Sequence, residues 1–284
     1  VMNYIIIHTG EIPEYISQTF NSILTIDKNA KIFFCSDGIK KYKNIENVNI
    51  SDIKSNQTKE IESLNFYKET PWHTNPLWIT SLMRVFYLND AIDNLNLKQG
   101  VHFDSDVIIY KPYEKIEQSF DQNKFNITPL NNEELIFGYA YFGNKNILNE
   151  IVNKFTNVVK NEFGSMVNEM KLLKSLQSKS KEIFNLLNIL PDVSEEYVFD
   201  PASYGQYLGG THANPYRFYK RRWAGDHHYI GKEIIENQLT VKFKKYPYVL
   251  KENKKYEIVN LHIHSKELRK FLPQGYKNYL IWVY

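Results

Sequence analysis

The sequence predicts an α/β fold, a mostly parallel central sheet flanked by helices, and three observations lead there. Two early runs, residues 3–8 (NYIIIH) and 31–35 (KIFFC), are apolar without alternation, as strands buried on both faces are. Between them, Ile12 to Ile26 repeats its apolar residues at helical spacing, so the opening reads as a βα unit. Both runs end in small polar residues, Thr9-Gly10 and Ser36-Asp37-Gly38, which suit the turns at the carboxyl ends of inner strands.

The later elements extend this pattern. Pro76 to Ile92 carries Trp78, Leu82, Val85, Phe86 and Leu88 on an amphipathic helix, with Arg84 among them. Residues 101–110 (VHFDSDVIIY) read as one strand in which Asp104 and Asp106 fall on the same side, because side chains alternate faces. Lys111-Pro112-Tyr113 ends it, and residues 134–143 (ELIFGYAYFG) supply another strand-like aromatic run, which either lines a pocket or, as the default, is core. Residues 146–190 read as helical throughout, with Gly164 as a break between two helices, and form a hairpin or lid. Residues 258–264 (IVNLHIH) close the chain's pattern as a strand with His262 and His264 on one face.

Composition narrows the class. A chain of 284 residues with 43% hydrophobic content can bury a substantial core. Lys+Arg 35 against Asp+Glu 32 leaves +3, without a dense basic run or heptads, so nothing asks for nucleic acid. That small excess tolerates anionic substrates or peripheral contact with an anionic membrane surface. The single cysteine, Cys35, rules out an internal disulfide and points to the cytoplasm. No 18-residue apolar run and no basic-then-apolar leader is visible, so the sequence gives no ground for a membrane span or a secretory signal.

Ligands of open α/β sheets sit beyond the carboxyl ends of the strands, which places His8, Thr9, Ser36, Asp37 and the Asp104-Ser105-Asp106 stretch along one rim. Paired carboxylates suit Mn²⁺ or Mg²⁺, hard cations that share their remaining positions with water and substrate phosphates. Arg84 is read either as a solvated helix charge or as a phosphate contact, which guanidinium geometry favours. Residues 199–215 and 221–234 mix Gly, His, Asp and aromatics; Gly209 and Gly210 allow close backbone approach, and Trp223 and His227 are candidates for holding a sugar. Asp200 and Asp226 are candidates for a general base, and equally for capping a turn and a helix.

This order of a βα half, an Arg-bearing helix, Asp104-x-Asp106 and a late His followed by Lys266 resembles the GT-A class of nucleotide-sugar-dependent glycosyltransferases. The resemblance implies a GT-A-like single domain over 1–284, with a nucleotide-binding half at 1–112, a helical insertion at 145–190 and an acceptor-side half at 191–284. It implies Mn²⁺ or Mg²⁺ held by Asp104, Asp106 and His262 or His264, with Lys266 against the donor diphosphate; an inverting reaction would also need a base, for which Asp226 and Asp200 are the candidates, whereas retention needs none. The expected partners are a nucleoside-diphosphate sugar, UDP-linked by preference, and a glycan or glycoconjugate acceptor. Of the two histidines the reading favours His264, nearer the carboxyl end, with His262 as a packed core member. A metal-dependent nucleotidyltransferase and a carbohydrate-binding protein without catalysis are the alternatives.

Overall fold

The computed structural model describes residues 1–38, 40–64, 76–162, 168–210, 222–223, 229–230, 232–279 and 282–283. The first half runs β1 (Asn3–His8), α1 (Ile16–Ile26), β2 (Lys31–Ser36), β3 (Glu46–Asn49), α2 (Asn56–Ser63), α3 (Pro76–Asn94), β4 (Gly100–His102) and β5 (Val107–Ile109). Then follow β6 (Phe125–Pro129), β7 (Leu135–Phe142), α4 (Lys145–Glu162), α5 (Glu169–Lys179), β8 (Phe184–Leu186) and β9 (Tyr197–Val198). The chain finishes with β10 (Thr240–Phe243), β11 (Pro247–Lys251), β12 (Lys254–Ile258) and β13 (Asn260–His262), besides shorter pieces.

A seven-stranded sheet of order β3-β2-β1-β4-β7-β6-β8 forms the centre, as the apolar runs predict. Its β3, β2, β1 and β4 are mutually parallel, β7 runs antiparallel to β4 and β6, and β8 returns parallel to β6. Strand alternation sorts the core into two layers. Ile5, Ile7, Phe33 and Cys35 face Leu82, Phe86, Leu148 and Phe155 of α3 and α4, with Leu173 of α5 in the same cluster. Tyr4, Ile6, Ile32 and Phe34 face Ile16, Phe20 and Ile23, the helically spaced stripe of α1. Burial on both faces accounts for the unbroken apolar reading of β1 and β2. A smaller sheet, β9-β12-β11-β10, forms a third cluster around Val249, Tyr256 and Ile258. Among the described residues no helix is long and apolar enough to cross a membrane.

Three sequence expectations change. Residues 101–110 are not one strand: β4 stops at His102, a turn carries Asp104-Ser105-Asp106, and β5 leaves the central sheet to pair antiparallel with β13. The turn lets both buried carboxylates reach basic partners, Arg84 for Asp104 and His262 and Lys266 for Asp106, which buried charges require. Second, residues 146–190 are not wholly helical. After α5 the chain passes through Lys181–Ile183 into β8, which pairs with β6 and buries Phe184. Third, residues 258–264 divide between β12, which ends at Ile258, and β13, which ends at His262, so His264 lies beyond the strand.

Candidate active site

The carboxylate turn is closed by one internal hydrogen bond and pinned by three from distant parts of the chain, which fixes where Asp104 and Asp106 point. Asp104 N–H donates to the Phe137 carbonyl of β7 at 3.0 Å, and Val107 N–H closes the turn on the Asp104 carbonyl at 3.0 Å. Thr19 of α1 donates its hydroxyl to the Ser105 carbonyl at 2.6 Å, and Ile263 N–H donates to the Asp106 carbonyl at 2.9 Å. The register of β13 against β5 puts His262 opposite Val107, one residue from Asp106. Its Nε2 lies 3.1 Å from Asp106 Oδ1 and 3.6 Å from Asp104 Oδ2. One donor atom from each of these three residues lies within 4.8 Å of the other two.

Two basic side chains close on the same carboxylates. Arg84, from the helix predicted to carry it, pairs with Asp104 and reaches Glu169 Oε1 with Nη2 at 3.3 Å, its guanidinium 5.3 Å from the Phe137 ring centre. Of its two readings, the solvated helix charge therefore falls. Lys266 pairs with Asp106. Its backbone is left-handed, φ 62°, an unfavourable conformation for a lysine that persists where the surroundings impose it; here its N–H donates to the Ile263 carbonyl at 2.9 Å.

Burial governs the protonation of the group. It pushes Asp106 up, but the His262 imidazole, by charge and hydrogen bond, and the Lys266 ammonium more than offset it and hold Asp106 well below the usual carboxylate range. Burial also raises Asp104, and there Arg84 and His262 offset it only in part. Burial opposes charge on His262, yet the adjoining Asp106 and Asp104 outweigh it and hold the imidazole above its ordinary value. Glu169 is pushed up to about 7 by burial, Arg84 pulling it down and Asp104 pushing it further up.

These residues open on a cavity of about 460 Å³ that also takes in His8, Thr9, Ser105 and His264. It lies at the carboxyl ends of β1 and β4, the place expected of a ligand site in such a sheet. No protein-family model matches the chain, and no curated protein does. Solved structures do match. The chain is similar to LgtC, a galactosyltransferase solved with donor and acceptor sugar analogues, at 13% identity over 75% of this chain and 81% of that one, TM-score 0.47. It is similar to the glycosyltransferase GlyE of Streptococcus pneumoniae TIGR4 at 12% identity over 66% of this chain, TM-score 0.42, and spans 46% of GlyE's length. It is similar to mouse xyloside xylosyltransferase 1 at 9% identity over 66% of this chain and 85% of that one, TM-score 0.44.

The other predicted residues separate into distinct places. His262, rather than the favoured His264, meets both carboxylates, because β13 ends there. His264 sits with its ring 4.4 Å from that of His262, and its Nδ1 is 2.6 Å from Gln206 Nε2. Ser36 is aligned with His8 in the β1/β2 register but does not reach the cavity wall, and neither does Asp37. Asp37 instead accepts the Gly10 N–H at 2.7 Å, closing a turn in which Gly10 has φ 87°, a conformation glycine adopts without strain.

Asp200 is fully buried and belongs to the scaffold. Its Oδ1 accepts the Ser203 and Tyr204 N–H groups at 2.9 and 2.8 Å, and its Oδ2 accepts those of Gly205 and His262, both at 2.9 Å. Its capping reading holds, and the base reading has no geometry to support it: a carboxylate occupied by four amides and closed to solvent has no path to a hydroxyl. The same link fixes His262, and Gly205 is needed there because a Cβ would stand 2.3 Å from the His262 carbonyl oxygen. Gly209 has φ 109°, a conformation that glycine adopts without strain, and Gly210 follows it; neither is among the residues that line the cavity. Trp223 lies in a short strand, Arg222–Trp223, its side chain outside what is described; Asp226 and His227 lie outside the described residues.

Sequence reasoning missed Glu169 and Trp78 as cavity residues, along with Tyr15, Thr80 and Ser81. Trp78 was legible only as core-facing. Glu169 had one local signal, Asn168 ahead of a helical run, which marks a helix start and says nothing of what the first turn faces.

Proposed function

We propose that the chain is a divalent-metal-dependent glycosyltransferase that moves a sugar from a nucleoside-diphosphate donor, UDP-linked by preference, to a glycan or glycoconjugate acceptor. The observation that carries this reading is the convergence of Asp104, Asp106 and His262 within 4.8 Å, with Arg84 and Lys266 on the same carboxylates, at the carboxyl ends of a parallel sheet. Two carboxylates and an imidazole fit Mn²⁺ or Mg²⁺ with positions left for phosphate oxygens, so the donor set suits the expected ion. Bound there, such an ion would supply Lewis-acid stabilisation of the diphosphate as the glycosidic bond to it breaks.

The chain's own residues do the rest. Lys266 is placed to move from Asp106 onto the leaving diphosphate, whose charge grows in the transition state. Arg84 faces the same space from α3. Trp78 offers a flat apolar surface of the sort that sugar rings stack on. His8 and Thr9, which line the cavity at the end of β1, are assigned to the nucleoside in this reading. Asp226 remains the candidate base now that Asp200 is committed to backbone amides.

Lys266→Met is expected to act in opposite directions on two binding steps. Freed of its resident ammonium, Asp106 should hold Mn²⁺ alone more tightly, by about tenfold for the loss of one charge-assisted contact, while Mn²⁺-dependent binding of UDP weakens. Calorimetry with each ligand separately reads both signs; weakening of both would make Lys266 a support of the metal site. The proposed activity is tested by incubating the protein and Mn²⁺ with a panel of sugar nucleotides and measuring free nucleoside diphosphate. Release from one donor, abolished by EDTA, is expected. Release of pyrophosphate from nucleoside triphosphates instead would point to nucleotidyl transfer, and sugar binding with no turnover to a carbohydrate-binding protein.

A further inference from the structure

We propose that Glu169 is a positioning residue of this site, the second carboxylate on which Arg84 settles when a divalent cation takes Asp104. The inference rests on the metal-dependent reading above. Arg84 lies between two carboxylates, in close contact with Asp104 and 3.3 Å from Glu169 Oε1. A guanidinium and a dication on one carboxylate repel each other strongly in a poorly solvated cavity, so Arg84 has to leave Asp104 before the site can fill. Solvent is a poor destination, since the arginine side chain is 15% exposed. Glu169 is the alternative partner that the fold provides.

Its own placement is rigid. Glu169 opens α5 behind the Asn168 cap, whose side chain accepts the Lys171 N–H at 2.9 Å. The positive end of the helix favours a carboxylate at that point. The Glu169 side chain is 5% exposed, and Arg84 is its one basic partner among the described residues. The Phe137 ring lies 5.3 Å from the guanidinium carbon and offers it a face that favours the cation. Trp78, Thr80 and Ser81 line the same cavity as Arg84, so a guanidinium nitrogen released from Asp104 would find its natural acceptor in a sugar hydroxyl or phosphate oxygen bound there.

Mn²⁺ binding without nucleotide, followed by electron paramagnetic resonance, reads the exchange directly. Glu169→Gln should weaken it about tenfold, since Arg84 then has only Asp104 to pair with. Arg84→Met should bind Mn²⁺ at least as tightly as the wild type, and adding Glu169→Gln to Arg84→Met should change nothing further. Glu169→Asp, which keeps the charge but shortens its reach, should fall between the wild type and Glu169→Gln. A merely structural role would weaken binding equally with and without Arg84, and that result, or wild-type Mn²⁺ affinity in Glu169→Gln, overturns the proposal. If the wild type binds no Mn²⁺ even with UDP present, the metal-dependent reading itself falls, and the proposal with it.

Discussion

Asp106→Asn is expected to abolish Mn²⁺-dependent nucleotide binding and to lower donor turnover by a hundredfold or more, on the order of 3 kcal/mol of transition-state stabilisation. Asp106 is the acid on which the site converges: His262 lies 3.1 Å from it, Lys266 pairs with it, and it is 4% exposed. The amide keeps the shape and loses the charge that cations require. The fold should survive, because Asp106 is the chief group raising the His262 pKa against the pull of burial, and once that carboxylate is gone burial favours the neutral imidazole. Circular dichroism, calorimetry and the donor assay on the same preparation separate these effects. Wild-type turnover in a folded variant would remove Asp106 from the chemistry.

The largest loss of stability is expected from Asp200→Ala. It strips the acceptor from four buried N–H groups at once, three in the turn at residues 203–205 and one on His262. Each orphaned buried amide costs about 1–3 kcal/mol, and with partial relaxation the sum is about 4 kcal/mol. Urea denaturation should show a much lower midpoint, and metal binding should weaken alongside it because His262 loses its anchor. A variant that melts like the wild type yet fails in catalysis would restore the general-base role that the burial of Asp200 denies.

Much of this was legible in the residues. The two-sided burial of β1 and β2 wrote their strands as continuous apolar runs, and α1 and α3 showed their helical spacing and their buried faces. The acids, His262 and Lys266 were picked out by type, yet the reason offered for the convergence of Asp104 and Asp106, strand alternation, is not the one that operates. They meet because a turn is pinned by Phe137, Thr19 and Ile263, which are far apart in sequence. The choice between His262 and His264 depended on the residue at which β13 stops, and that is set by pairing with β5, a long-range fact. Glu169 was hidden for the same reason: its role comes from α5 packing beside α3 and β7, and its neighbours in sequence carry no trace of Arg84. Asp200 shows the converse, since the sequence left it equally a base and a turn cap, and only its four amide donors decide for the cap.

The central claim, that one cavity holds a divalent cation and a nucleoside diphosphate together, is tested most directly by titrating UDP into the wild-type protein with Mn²⁺ and again with EDTA. Two carboxylates and an imidazole leave half of an octahedral ion's positions to other ligands, so each ligand should raise the affinity of the other, by about tenfold or more. Tighter UDP binding with Mn²⁺, together with tighter Mn²⁺ binding in the presence of UDP, is the predicted result; equal UDP affinity in Mn²⁺ and in EDTA would contradict it.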